Sequence, residues 1–422
     1  MLIELSVENY RSISERQTLR LVASKHRSDA EGTPAISAPG FSHKLLTSLV
    51  IYGANASGKS NLLRAFVDVV TSVRHSATHS DHEIQPFRLD PRYEDEPTRF
   101  ELTFLKDGAR YQYGFALSAE KVHEEWLIAY PGRAPQLWFE RRVGAEPKFG
   151  SHLKGEKKRI YTLTRPDALY LSVAAQLNHD QLGGIHKWIT SRLRVVQARY
   201  LSPLATADAI SSHEHLGSDV TKLLKAADLG IEGVIVRRHN KLPEKAAGPA
   251  AQTGMLYQMG KEDFLEIKTL HSRPDGSKIE LDMAGDESDG TQRYFSMLEP
   301  VVSCLGGGGV LAVDELDDSL HPLLVRRIVS WFHDPKINKT GAQLIFNTHD
   351  TTLLDLALFR RDQIWFTEKD TTGATRLYSL LEFSPRKQEA LQKGYLEGRY
   401  GAIPFLGEPG FMPASDRTKD EK

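Results

Sequence analysis

The chain has 422 residues, 40% hydrophobic and 26% charged, which suits a globular protein with one large core or two modest ones. Its formal net charge of -1 gives no global positive field toward nucleic acid, and its single cysteine, Cys304, excludes an internal disulfide or a cysteine-rich zinc site. Long uncharged runs, such as 246–260 and 300–313, are too short to span a bilayer; Glu4 and Glu8 break what a signal peptide needs, so a cytoplasmic setting without membrane contact is expected.

Along the chain, Leu2, Glu4, Ser6 and Glu8 alternate with Ile3, Leu5 and Val7, the pattern of a half-buried strand. A loop is predicted over about 25–43, then a short strand at Leu49-Val50-Ile51-Tyr52. Leu62, Leu63, Phe66, Val69 and Val70 have helical spacing. Over 98–130, two alternating runs flank Lys106-Asp107-Gly108, a hairpin signal. The stretch 166–229 reads as mostly helical, 241–253 as a Pro/Ala/Gly-rich linker, and strands return at Phe264-Leu265-Glu266-Ile267-Lys268 and Lys278-Ile279-Glu280-Leu281. After Gly290, helix and strand alternate, which predicts a sheet with helices on its faces. The polar tail from Pro413 is expected to fray.

Four motifs carry chemistry. Gly53-Ala54-Asn55-Ala56-Ser57-Gly58-Lys59-Ser60, followed by Asn61, matches the phosphate-binding loop in full, between a strand and a helix. Its glycines let backbone N–H groups approach phosphate oxygens; Lys59 is placed for the β- and γ-phosphates and the Ser60 hydroxyl for Mg²⁺. Val310-Leu311-Ala312-Val313-Asp314-Glu315 is an apolar strand ending in two carboxylates: Asp314 for the metal shell, Glu315 as general base toward an attacking water. Ser288-Asp289-Gly290 before an apolar-periodic stretch offers a second anion site at a helix N-terminus, or an ordinary N-cap. Leu344-Ile345-Phe346-Asn347-Thr348-His349 is another apolar strand with polar groups at its end, where His349 could contact a γ-phosphate or serve structure alone.

In this order the motifs resemble the ABC ATPases of the RecF and SMC branch, and within it the small stand-alone AAA-family ATP-binding proteins of the RloA-like abortive-infection group. The resemblance implies an α/β ABC-ATPase head: a mixed sheet core, an antiparallel β subdomain and a helical insert. It implies ATP and Mg²⁺ as cofactors and hydrolysis to ADP and phosphate. It also implies a homodimer or higher oligomer in which Ser288 and Gly290 act on the partner's nucleotide. Asn9-Tyr10-Arg11-Ser12 looks like the branch's nucleotide-facing turn, Gln85 falls where its glutamine loop would supply a metal ligand, and 316–322 resembles its D-loop. The expected parts are 1–130, a lobe with phosphate loop and antiparallel β region; 131–260, a basic hairpin and helical insert; 261–412, a lobe with signature, Asp-Glu strand, D-loop and His switch; and 413–422, a polar tail. About 230 residues separate Lys59 from Ser288 without a sustained heptad run, so no long coiled-coil arm is expected. Asp289 and Thr291 depart from the transporter signature. The role implied is the ATPase and sensor half of an anti-phage system acting on a nuclease-like effector protein. The alternatives are a RecF-like DNA-repair ATPase and an ATP-bound scaffold with slow turnover.

Two weaker features stay open at this stage. The basic run Arg141, Arg142, Lys148, Lys154, Lys157, Lys158 and Arg159 fits either a nucleic-acid footprint or a solvated hairpin face. His75, His79 and His82, beside Asp81, fit either a metal site or a solvated turn. Arg360-Arg361-Asp362 reads as a helix C-terminal cap.

Overall fold

The computed structural model describes residues 1–25, 35–80, 82–227, 229–240, 256–260, 263–385 and 390–404. The early chain forms β1 (Leu2–Glu8), β2 (Gln17–Arg20), β3 (Ala35–Ser37), β4 (Lys44–Leu46), β5 (Ser48–Gly53) and helix α1 (Lys59–His75). A meander follows: β6 (Thr98–Lys106), β7 (Ala109–Leu117), β8 (Val122–Tyr130), β9 (Gln136–Arg142) and β10 (Lys148–Phe149). Then come α2 (Lys157–Leu163), α3 (Tyr170–Gln176), α4 (Asp180–Arg192), β11 (Leu193–Gln197), α5 (Pro203–Ser212) and α6 (Glu214–Lys225). Strands β12 (Ile231–His239), β13 (Leu256–Gly260), β14 (Asp263–Ser272) and β15 (Lys278–Asp282) precede α7 (Asp289–Gly307). The chain closes through β16 (Val310–Asp314), α8 (Pro322–His333), β17 (Gln343–Asn347), β18 (Ile364–Lys369), β19 (Thr375–Ser379) and α9 (Leu391–Leu396).

The central sheet runs β11-β16-β17-β5-β18-β19, parallel throughout except for β19. Its inner strands are apolar because helices or the other sheet cover both faces; β5, β16 and β17 are buried at every position. The antiparallel sheet runs β10-β9-β8-β7-β6-β1-β2. Its β6–β7 hairpin turns at Asp107 (φ 50°) and Gly108 (φ 76°), the left-handed pair that a two-residue hairpin loop requires. A smaller antiparallel sheet joins β12, β14, β13 and β15, and β3 pairs with β4. This is the α/β architecture expected from the sequence: a mixed central sheet, an antiparallel β region and a helical segment.

A buried amide helps tie the two large sheets together. Gln343 on β17 accepts from Leu2 N at 2.7 Å and donates to the carbonyls of Leu2 and Leu46, each at 3.0 Å. β1 is more enclosed than its alternation implies, since Ser6 is also buried, its hydroxyl bonded to Thr18. Residues 193–197, expected within a helical stretch, form β11 and complete the edge of the central sheet. Val195 and Val196 are β-branched, and Leu193 finishes the apolar face of α4, so the two periods overlap there. Arg360 and Asp362 are a correction of another kind. They form a buried ion pair at 2.8 Å that holds Ser24, not a helix C-terminal cap. Among the described residues, no helix is long and apolar enough to cross a membrane. Asp81, the stretch 241–253 and the tail from 413 lie outside the described residues.

His333, at the end of α8, is partly buried, and its ring bonds the Ser48 hydroxyl at 2.7 Å. Burial disfavours the imidazolium and pushes its pKa down to about 4. The unfolded chain therefore binds the extra proton first. Stability is fully present above the ordinary histidine value and is lost as pH falls toward about 4. We expect urea midpoints to drop between about pH 7 and about pH 5. His333→Gln, which keeps the bond to Ser48, should flatten that slope; an equal slope in the variant would assign it to other groups.

Candidate functional site

Because β11, β16, β17, β5 and β18 are parallel, their carboxyl ends share one edge, the edge where sheets of this kind bind ligands. There the register sets Gln197 opposite Asp314, Val313 opposite Phe346, Asn347 opposite Ile51 and Gly53 opposite Thr367. The phosphate loop springs from the end of β5. A Cβ at Gly53 would lie 2.4 Å from the Thr367 carbonyl oxygen, and one at Gly58 (φ 109°) 2.2 Å from the Thr375 hydroxyl, so both positions demand glycine. Asn55 and Ala56 are exposed at the crest, and Ala56 is left-handed at φ 62°. Ser57 closes the loop by donating its N–H to the Ala54 carbonyl at 3.2 Å, and its hydroxyl meets Thr367 at 2.7 Å. Lys59 is buried and donates to the Gly53 and Ala54 carbonyls at 2.8 and 3.0 Å. Burial lowers its pKa, against the opposing pull of Asp314, Glu315 and Asp317.

The Ser60 hydroxyl donates to Asp314 Oδ1 at 2.9 Å. The same carboxylate oxygen accepts from Asn347 Nδ2 at 2.5 Å, while Asn347 Oδ1 accepts the Glu315 N–H at 2.5 Å. Glu315 itself is left-handed at φ 58°, a conformation costly for its type and held by this bond. Asn347 had no assigned role in the sequence; its only signal was a polar residue closing an apolar strand. His349 is exposed and its N–H donates to Asp317 Oδ2 at 3.1 Å. Burial of part of its ring, then the charge of Lys59, lowers its pKa. That favours the neutral imidazole near neutral pH. The second Asp317 oxygen is buried without a hydrogen-bond partner among the described residues.

Arg11, left-handed at φ 52°, donates its N–H to the Gln85 carbonyl at 2.8 Å and its guanidinium to Gln85 Oε1 at 3.2 Å. Buried Asn9 positions this turn by accepting from Phe87 N and donating to the carbonyls of Tyr93 and Glu96. A groove of about 1020 Å³ is lined by Arg11, Ser60, Arg64, Asp68, Gln197 and Asp314, among others. Gln197 thus lies beside Asp314, whereas Gln85 is exposed and engaged by Arg11. Three further residues brace the loop, of which only Thr375 carried no signal in the sequence. Thr375 donates to the Ser57 carbonyl at 2.9 Å, Ser12 bonds Thr375 at 2.8 Å, and Asn61 donates to Ser12 at 2.8 Å.

Ser288 caps α7, accepting from Thr291 N at 3.1 Å. Gly290 packs on the 316–322 turn of its own chain, where an added Cβ would lie 3.0 Å from the Ser319 carbonyl oxygen. The chemistry of the Asp314 side fits Mg²⁺: a hydroxyl and a carboxylate, hard oxygen donors, meet beside a cradle shaped for phosphate.

Residues 48–355 match the family described as "AAA domain, putative AbiEii toxin, Type IV TA system". The chain belongs to that family. No curated protein matches it. Among solved structures it is similar to an SMC head bound to the C-terminal winged-helix domain of ScpA (12% identity, 90% of this chain and 97% of that one, TM-score 0.43). It is also similar to the SMC head domain from Thermotoga maritima (12% identity, 90% and 98%, TM-score 0.39). A third is the Smc head domain with an extended coiled coil bound to the C-terminal domain of ScpA, derived from Pyrococcus furiosus (13% identity, 94% and 99%, TM-score 0.36).

The nucleotide-binding AAA domain thus has its phosphate loop and acidic strand in one edge-on cluster. The open alternatives of the sequence resolve unevenly. Arg141 pairs with buried Glu125 at 2.8 Å, Arg142 with Glu124 and Glu140, Lys148 with Glu140, and Arg159 with Glu156, so much of the basic run is matched by acids. His82 bonds the Asp167 carbonyl, and no cluster of three metal-ligating side chains occurs among the described residues.

Asn347→Ala should leave the Asp314 and Glu315 groups without their shared partner. We expect ATP turnover to fall by about a hundredfold, the scale of a lost positioning contact at a reacting centre, with ATP binding retained. A variant that turns over like wild type would remove Asn347 from the machinery.

Proposed function

We propose that this chain hydrolyses ATP with Mg²⁺ as one half of a nucleotide-sandwiched dimer, and that the nucleotide state acts as a switch on a partner protein. The observation that carries the reading is the convergence of Ser60, Asp314, Asn347 and Glu315 beside the buried Lys59. Lys59 and the loop N–H groups bind and orient the phosphates. Asn347 fixes Glu315 so that its carboxylate takes a proton from water at the γ-phosphate. His349, neutral, is placed to bond the same phosphate or water. Bound Mg²⁺ would neutralise phosphate charge from Ser60 and Asp314. We propose Gln197 as the amide ligand on that side, in preference to Gln85.

The second half of the site comes from the partner in this reading. Ser288 is exposed at the N-terminus of a 19-residue helix, while Gly290 packs on its own D-loop. Such a helix end offers N–H groups and a hydroxyl to an anion carried by another chain. The family's description as a putative toxin of a type IV toxin–antitoxin system supports a role in such a system; a nuclease-like effector as partner rests on the resemblance of the motif order alone. The acid-matched basic run gives little support to a DNA-binding alternative.

Glu315→Gln should lose ATP turnover by at least about a thousandfold and accumulate as an ATP-dependent dimer or larger assembly in light scattering. Turnover equal to wild type removes Glu315 as base; a size that ignores ATP removes the sandwich. In a Mg²⁺ titration of turnover, Gln197→Ala should need more metal than Gln85→Ala. The reverse order would return the ligand role to Gln85.

A further inference from the structure

The signature turn is suspended from one strand of the small antiparallel sheet. Glu287, immediately before Ser288, has a side chain only 9% exposed, and its Oε1 accepts from the Thr269 hydroxyl at 2.5 Å and pairs with His271 Nε2 at 2.7 Å. Both partners lie on β14. A second carboxylate anchors the start of the same turn. Asp282 accepts the N–H groups of Ala284 and Gly285, each at 2.9 Å, and its other oxygen meets Lys268 of β14 at 3.1 Å. Gln292, in the first turn of α7, donates back to the carbonyls of Ala284 and Glu287. The turn that presents Ser288 is thus fixed at both ends by β14, not by the central sheet.

We infer that His271, acting through Glu287, is a positioning residue for the Ser288–Gly290 anion site, and that β14 is the route by which the small sheet sets that site's readiness. The inference rests on the proposed sandwich, because only there does Ser288 meet a phosphate. A buried carboxylate that loses its donor must reorganise or find water. Glu287 is one residue from the N-cap, so its movement changes the direction of the Ser288 hydroxyl and of the N–H groups behind it. Among the described residues no hydrogen bond or ion pair joins the phosphate loop to β14, so in this reading ATP binding by a single chain is left untouched while the joining of two chains is weakened.

The test uses the full chain carrying Glu315→Gln, with His271→Leu or His271→Gln added. Binding of a fluorescent ATP analogue at protein concentrations too low for assembly should match the parent in both variants, which also reports folding. The protein concentration at half-maximal ATP-dependent dimer, from light scattering, should rise about tenfold for His271→Leu, the scale of one lost bond to a charged group. His271→Gln keeps an N–H donor and should return to within about threefold of the parent. Unchanged assembly by His271→Leu overturns the inference while leaving the sandwich standing. Equal failure of His271→Leu and His271→Gln overturns it too, since the contact then acts only as packing. A parent that never assembles with ATP overturns the sandwich, and the inference with it.

Discussion

Asn347 sits at the end of β17 with both ends of its amide committed, one to the Asp314 carboxylate and the other to the Glu315 N–H. It is fully buried, so neither bond competes with water. A buried amide with one half unpaired would be costly, and satisfying both halves fixes the spacing of β16 and β17 at their carboxyl ends. It also holds Glu315 in a left-handed conformation that its type avoids. The strain is local, lies at the carboxylate proposed as general base, and is offset by packing all along the two strands.

The phosphate loop depends on both large sheets. From one side Thr367 and Thr375 hold Ser57; from the other, Ser12, just after β1, reaches Thr375 and Asn61. Gln343 then locks β1 and β4 to β17 through three backbone groups. The antiparallel sheet is therefore not an appendage. It sets where Arg11 stands, because the turn after β1 carries Arg11 and buried Asn9 fixes that turn against the segment through Gln85 and Phe87.

Much of this was legible beforehand, for physical reasons. The phosphate loop, the apolar strands ending in acids and the helix after Ser288 are local patterns whose spacing states their geometry, and the structure has each element in place. What could not be read was whatever depends on registry between distant segments. β11 hid behind α4 because its few apolar residues continue the helical spacing, and Gln197 hid with it. Its place beside Asp314 is set by pairing across more than a hundred residues. Asn347 was visible as a residue but not as a bridge. The pairing of Arg141 with Glu125 needed the β8–β9 register, without which the basic run looked unopposed.

The two halves of the proposed site differ in how they are held, and that difference bears on switching. The cis half is built into buried strands, and opening it would break core packing as well as hydrogen bonds. The signature turn is held by a few side-chain contacts to a small sheet, each worth about 1 kcal/mol net and somewhat more where a charge is involved. A ligand shifts an equilibrium only by its difference in affinity between two states. A difference of a few kcal/mol is enough to reset contacts of the second kind and too small to remodel the first. If ATP is the switch, the cis half is therefore the fixed reference. The adjustable part is the turn presented to the partner, whose setting is determined from β14.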